Sequence, residues 1–212
     1  MAEPVTAITD FLLCLLSLYC GVRLTEQYWK TFQVSHFHLS CFFFLLIISS
    51  VLGGLFHTFR YSFTETLVET IWTLTMASAG VTVFFLLLFI IAISVSYRTF
   101  SVIKWIPIVA LFVFIGKTTQ HFSTSPLFQF SIPPIIFSFI IIGNQLIRQP
   151  SYGVRMILRS LCIFLIGGLI LQSGISFSIF NHNDLFHLFM MLGICVLYRG
   201  GSEIDDYDKS II

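Results

Sequence analysis

Charged residues are scarce in this sequence of 212 residues, because Lys, Arg, Asp and Glu together make up only 10% of it. A soluble domain of ordinary composition carries about 25%. Hydrophobic residues account for 57%, so lipid rather than water must be the solvent of most of the surface. The formal net charge is +1, and no basic block of the kind that binds nucleic acid is present. The composition therefore excludes an ordinary soluble domain and argues against nucleic-acid binding.

The short motifs that identify many soluble enzymes are also missing. The sequence has no GxSxG turn around a nucleophilic serine, no Walker phosphate loop and no HExxH zinc motif. The five cysteines form no CxxC pair, so we infer no disulfide framework and no redox site. Any chemistry must come from polar residues that are far apart in the sequence.

Long apolar runs are what the sequence has in place of these motifs. A helix of about 20 apolar residues crosses a hydrocarbon core of roughly 30 Å, and in lipid the backbone polar groups of such a run are satisfied within a helix. We predict an all-α, polytopic membrane protein, a bundle of seven transmembrane helices over residues 1–200, followed by a short acidic, solvated cytoplasmic tail at 201–212. The predicted spans are 5–22, 38–58, 69–95, 101–118, 126–147, 156–178 and 184–199. Prolines inside the fourth and fifth spans predict kinks at Pro107, Pro133 and Pro134.

The basic residues indicate an orientation for this bundle. With seven spans, nine Lys and Arg residues fall on one side of the membrane, and only Arg60 and Lys117 fall on the other. Because cytoplasmic loops carry the excess of positive charge, we expect a multi-pass membrane protein with its C-terminus in the cytoplasm and its N-terminus on the extracytoplasmic side.

Ionisable residues collect at one level of the predicted bundle. Such groups are costly near lipid, so they mark function or pair with one another. The topology places all of them at the extracytoplasmic ends of four spans: Asp10, His57, Glu65, Glu69, His182, Asp184 and His187. Histidine and carboxylate are ligands that suit Zn²⁺. This pattern predicts a zinc site in which Asp10 or Glu69 relays a proton from metal-bound water.

The metal ligands predicted from these residues are His57, His187 and a third group that is either His182 or Asp184. Asp184 and His187 are three apart and share a helix face. His182 and His187 are five apart, about 140° around a helix, so both could bind one ion only if His182 lies in the turn before the helix. The alternative is that Asp184 belongs to a polar helix cap and His57 is an interfacial histidine.

Two short motifs resemble those of a known family. They are Gly-Gly-Leu-Phe-His57 at the end of the second span and Asn181-His-Asn-Asp-Leu-Phe-His187 at the start of the seventh. Together with an acidic position near the start of span three, they are similar to the alkaline ceramidase and adiponectin-receptor superfamily, and to a ceramidase-like branch of it. The resemblance implies zinc held by one histidine of span two and two of span seven, and hydrolysis of lipid amides or related bonds. The sequence departs from that pattern, because Asn183 stands four residues before His187 and Gly53 replaces a serine.

Two functions follow from this reading. The first is a membrane-embedded, Zn²⁺-dependent hydrolase of a lipid amide or ester. The second is a catalytically silent seven-helix protein that binds a lipid or a partner and keeps its polar residues as a hydrogen-bonded plug. A small transporter or proton-conducting protein is a third interpretation, although it would need midplane charges that are scarce here. In each case the expected partners are membrane lipids and a lipid substrate or ligand.

Overall fold

The computed structural model describes residues 3–118 and 125–207. The regular elements of this part of the chain are helices, which confirms the predicted all-α class. Their bounds in chain order are α1 Pro4–Thr31, α2 Val34–Phe59, α3 Glu65–Ala92, α4 Tyr97–Ile103, α5 Trp105–Thr118, α6 Ser125–Arg148, α7 Tyr152–Ser173 and α8 His182–Gly201.

Seven helical segments in the described residues are long and apolar enough to cross a membrane, as predicted. Six of them lie within single helices, and the remaining one, 97–118, which is the fourth in chain order, combines α4 and α5. The ends differ from the predicted spans. Helix α1 continues to Thr31 instead of ending near residue 22, and α7 ends at Ser173, where Gly174 adopts a left-handed conformation with φ of 66°. Such a conformation is typical of a residue that terminates a helix.

The break between α4 and α5 has a cause in the sequence. Pro107 has no backbone N–H, so it cannot bond to the carbonyl of Ile103 four residues earlier. Helix α4 ends at Ile103, and α5 begins two residues later at Trp105. Pro107 therefore divides this span into two helices, whereas Pro133 and Pro134 both lie inside the single helix α6.

The helices pack in a ring. Helix α2 packs between α1 and α3, α8 packs against α1 and α7, and α6 contacts both α3 and α7. The core between them contains large side chains that are fully buried, such as Phe43, Phe89 and Leu197. Helix α5 lies beside α3 and α6 and keeps apolar side chains outside, with Phe112 72% exposed. An apolar outer surface is what a lipid environment requires.

Helices α7 and α8 approach closely through two glycines. A Cβ atom built on Gly153 would lie 2.9 Å from the carbonyl oxygen of Gly200. A Cβ atom built on Gly200 would in turn lie 3.0 Å from the carbonyl oxygen of Gly153. Small residues let helix backbones come this near, so the pair fixes where the two helices cross.

The acidic segment after α8 is bound to the bundle rather than solvated, which corrects that part of the prediction. The carboxylate of Asp206 accepts hydrogen bonds from the backbone N–H groups of Val34 and Ser35 at 2.7 and 2.9 Å. The side chain of Gln33 donates to Asp205 and accepts from the N–H of Asp206. Asp206 therefore caps the first turn of α2 from a distant part of the chain. The predicted tail residues 208–212 lie outside the described residues.

Replacing Asp206 by Ala is expected to lower the stability of the protein by about 1 kcal/mol, the usual contribution of a side chain that caps a helix N-terminus. The apparent melting temperature of the purified protein in detergent measures this change. Glu203 is a matched control, because it is an exposed acidic residue of the same segment. Equal effects of Asp206→Ala and Glu203→Ala would contradict the capping role.

Candidate functional site

The start of α8 is built by a capping box, which orients Asp184. The side-chain oxygen of Asn181 accepts from the backbone N–H groups of Asn183 and Asp184 at 2.8 and 3.0 Å. In return, Oδ2 of Asp184 accepts from the N–H of Asn181 at 2.8 Å. This reciprocal arrangement satisfies N–H groups that have no partner within the helix. It also fixes the direction of the Asp184 side chain towards α1.

The carboxylate of Asp184 is hydrogen-bonded to Thr6 of α1. Its hydroxyl donates to Oδ1 of Asp184 at 2.6 Å and accepts from the side-chain amide of Asn181 at 3.1 Å. Asp184 is 1% exposed and Thr6 is fully buried. Both carboxylate oxygens of Asp184 thus have protein partners, so the chief role of this residue is to join α8 to α1.

One turn further into the bundle, Thr9 holds His187. The Thr9 hydroxyl donates to the carbonyl oxygen of Thr6 at 2.9 Å and lies 2.9 Å from Nδ1 of His187. A hydroxyl has a single proton to donate, so the Nδ1–H of His187 must be the donor to Thr9. In the neutral ring the other nitrogen, Nε2, is then an unprotonated acceptor.

That second nitrogen faces a carboxyl group. Nε2 of His187 lies 3.4 Å from Oδ1 of Asp10, and the two residues are 8% and 4% exposed. Because a lone pair and a carboxylate repel each other, this contact is favourable when the pair carries one proton. The pair is either a carboxylic acid beside a neutral imidazole or a carboxylate beside an imidazolium.

The other oxygen of Asp10 is in an unusual position. Oδ2 is buried and has no hydrogen-bond partner among the described residues. Gly53 of α2 lies beside it, and a Cβ atom there would be 3.2 Å from each carboxylate oxygen. Gly53, which replaces the serine of the resembled pattern, therefore leaves room for Asp10. We call Thr6, Thr9, Asp10, Asp184 and His187 the polar cluster.

His57 lies near the polar cluster and is held by a different acid. Its Nδ1 is 2.6 Å from Oε2 of Glu3, a contact that has the distance of an ion pair without hydrogen-bond alignment. The other oxygen of Glu3 contacts Nη2 of Arg60 at 2.9 Å. His57 is 8% exposed and lies within electrostatic range of both Asp184 and His187.

The residues predicted from the sequence are therefore only partly brought together. Asp10, Asp184 and His187 are joined through the threonines of α1, and His57 lies within electrostatic range of Asp184 and His187. Glu69 is exposed on α3, and His182 is half-buried at the first position of α8 rather than in the turn before it. Within the described residues, neither makes a hydrogen bond or ion pair with the polar cluster.

The polar partners Thr6, Thr9, Glu3 and Arg60 were not among the predicted site residues. A signal for the first two is present in the sequence, because Thr6, Thr9 and Asp10 lie at positions i, i+3 and i+4 and so share one face of an otherwise apolar helix. Glu3 carries no comparable signal, since its contact with His57 depends on how α1 and α2 pack.

The donor set does not match the zinc site predicted from the sequence. Across residues 3–118 and 125–207, no group of three or more His, Cys, Asp or Glu side chains is placed to hold a metal ion. A catalytic zinc uses three protein ligands. In this structure both oxygens of Asp184 are used by Thr6 and Asn181, and His57 is turned to Glu3 through Nδ1.

A family model described as "Family of unknown function (DUF6962)" matches residues 5–206. No curated protein and no solved structure matches the chain. The match covers the whole polar cluster and every helix residue except Pro4, the first residue of α1.

Proposed function

We propose that this chain, which belongs to a family of unknown function (DUF6962), is a membrane-embedded hydrolase of a lipid amide or ester. In this proposal Asp10 and His187 form the acid–base pair. The observation that carries it is the buried oxygen Oδ2 of Asp10, which has no hydrogen-bond partner in the described part of the chain.

This oxygen distinguishes a reaction site from a structural plug. Burying a carboxyl group costs several kcal/mol unless its atoms are paired, so a polar plug should satisfy every oxygen it contains. Asp184 meets that expectation, because both of its oxygens accept hydrogen bonds. Asp10 does not, because its Oδ2 has no partner in the described part of the chain, while its Oδ1 faces an imidazole nitrogen that can exchange a proton with it.

The chemistry follows from the proton that Asp10 and His187 can exchange with water. Once the pair has released one proton to water, its carboxyl is ionised and its ring is neutral, and it accepts a proton from a second water molecule as the oxygen of that water attacks the carbonyl carbon of the lipid. The bond to nitrogen or oxygen of the leaving group then breaks, and the leaving group takes the proton back. Thr9 holds the imidazole in one tautomer throughout, which a general base of this type requires.

The apolar character of the helices supports a lipid as the substrate. Seven helices of this length and apolar character leave lipid as the molecule that surrounds the protein, and lipid amides and esters have their carbonyl groups near the ends of such helices. The polar cluster lies at the ends of α1 and α8. The excess of basic residues in the other loops indicates that this end is extracytoplasmic.

Zinc is a separate element of the proposal. If the ion binds, His57 and His187 are the ligands that the resemblance implies, and it would activate a water molecule and polarise the carbonyl group. Since the described residues do not gather three ligands, the proton transfers above are assigned to Asp10 and His187 alone.

A hydrolysis assay with the purified full-length protein tests the proposal. The protein in nanodiscs is supplied with a panel of lipid amides and lipid esters, and released fatty acid is measured by mass spectrometry. We expect release from at least one class. Metal analysis of the same sample is expected to give about one zinc per chain if the ceramidase-like ligand set forms, and His187→Gln should remove it. Folded protein that releases no fatty acid from either class would contradict the proposal.

A second function has support in the contacts of Asp184 and His57. Each is held by protein partners, as in a catalytically silent protein whose polar residues fix its helices. Such a protein would bind a lipid or a partner without changing it. In the same assay it would retain lipid through purification but release no fatty acid.

A further inference from the structure

Glu3, His57 and Arg60 form a second charged group at the end of α2. The carboxylate of Glu3 bridges the other two side chains, at 2.6 Å from the His57 ring and 2.9 Å from the Arg60 guanidinium. We propose that His57 and Arg60 form a binding site for a phosphate group, presented by a lipid headgroup, and that Glu3 occupies this site as a competing anion of the protein itself.

Arg60 has hydrogen-bonding capacity that Glu3 does not use. Its Nη2 contacts Glu3 and donates to the hydroxyl of Tyr61 at 3.0 Å. Its Nε is buried and has no hydrogen-bond partner among the described residues. A guanidinium binds oxyanions best through two parallel N–H donors. Glu3 engages only one such nitrogen, whereas a phosphate has enough oxygens to reach both nitrogens and the imidazole.

The side chain of Glu3 is accessible enough for exchange with another anion. The side chain of Glu3 is 23% exposed, and its backbone N–H donates to the carbonyl oxygen of His57 at 3.1 Å. The residue precedes α1, yet its side chain does not cap that helix. Water can therefore reach the carboxylate of Glu3, and an anion with more oxygens for Arg60 and His57 can displace it.

The surroundings favour a lipid over a free phosphate. Arg60 immediately follows Phe59, the last residue of α2, so the guanidinium lies where a membrane span ends and headgroups begin. It stacks over the rings of Phe56 and Tyr61, at 6.0 and 4.9 Å from their centres. Phe59 and Tyr61 are 41% and 79% exposed, which offers apolar surface to acyl chains beside the cationic group.

A lipid-binding measurement tests this inference, and it does not depend on hydrolysis. The full-length protein in detergent is titrated with phosphatidic acid, with diacylglycerol as the matched lipid without a phosphate, and bound lipid is counted by native mass spectrometry. We expect Glu3→Gln to raise the affinity for phosphatidic acid about fivefold, because it removes the competing ion pair. Arg60→Gln is expected to lower it about tenfold or more.

The chain offers a matched control at the other end of the bundle. Arg23 and Glu26 form an exposed ion pair at 2.7 Å, so Glu26→Gln should leave the affinity unchanged. If Glu3 only anchors α1, Glu3→Gln will lower the melting temperature while its affinity stays at the wild-type value, and that result would overturn the inference. Equal binding of diacylglycerol would overturn it as well. Inorganic phosphate that binds as tightly as phosphatidic acid would exclude the lipid as the source of the phosphate.

Discussion

Replacing Asp10 by Asn is expected to lower the rate of lipid hydrolysis about 100-fold, which is the lower part of the range for loss of a general acid–base group. The amide has nearly the shape of the carboxyl group, so it fits beside Gly53 without new contacts. It cannot take up or release the proton that Asp10 shares with His187. The rate of fatty acid release per folded molecule measures the effect.

His187→Gln should give a loss of similar size, and the two changes together should cost little more than either alone, because the pair acts as a unit. Glu69→Gln is the control, since this acidic residue is exposed on α3 and is expected to leave the rate unchanged. An Asp10→Asn variant with the wild-type rate would remove Asp10 from the reaction. A strong loss in Glu69→Gln would show that the site lies elsewhere.

Replacing Gly153 by Ala is expected to destabilise the protein by about 1–3 kcal/mol, the usual cost of forcing an extra methyl group into a packed contact. The new Cβ atom would lie 2.9 Å from the carbonyl oxygen of Gly200 and 3.3 Å from Cβ of Ile204. A backbone carbonyl cannot rotate away as a side chain can, so α7 and α8 would have to separate. The melting temperature in detergent reports the change.

Gly168 provides the control in the same helix. A Cβ atom there would meet nothing within 4 Å, and Ala is the better helix former, so Gly168→Ala should raise the stability by up to about 1 kcal/mol. Opposite signs for the two substitutions are therefore expected. The same loss at both positions would show that the glycines matter for helix conformation and not for the approach of the two helices.

The all-α class and the seven segments long and apolar enough to cross a membrane could be predicted from the sequence, because long apolar runs report directly on such segments. Their ends could not. Helix α1 continues through Arg23, Glu26 and Lys30 to Thr31, since loss of hydrophobicity marks where lipid ends and not where helical hydrogen bonding ends. The break before Trp105 is likewise set by Pro107 and not by any change in hydrophobicity.

The polar cluster could be predicted in part. The helix ends place Asp10, Asp184 and His187 at one level, and the structure brings these three together. The direction in which a side chain leaves its helix depends on packing, which is why Glu69 was expected at the site but lies exposed. Thr6 and Thr9 were missed for a related reason, because hydroxyl groups barely change the hydrophobicity of a span and often bond back to their own helix.

The direct contacts between α1 and α8 also restrict when the site can form. Thr6 and Asp184 are separated by 178 positions, and at the opposite end of the bundle the side chain of Gln27 in α1 donates to the carbonyl oxygen of Ser202 just after α8. A ribosome must therefore translate through residue 184 before Thr6 can acquire its carboxylate partner. Until then, the buried hydroxyl groups of α1 remain without Asp184 and His187, and a nascent protein that stalls before α8 exposes an unsatisfied polar face that membrane quality control could recognise.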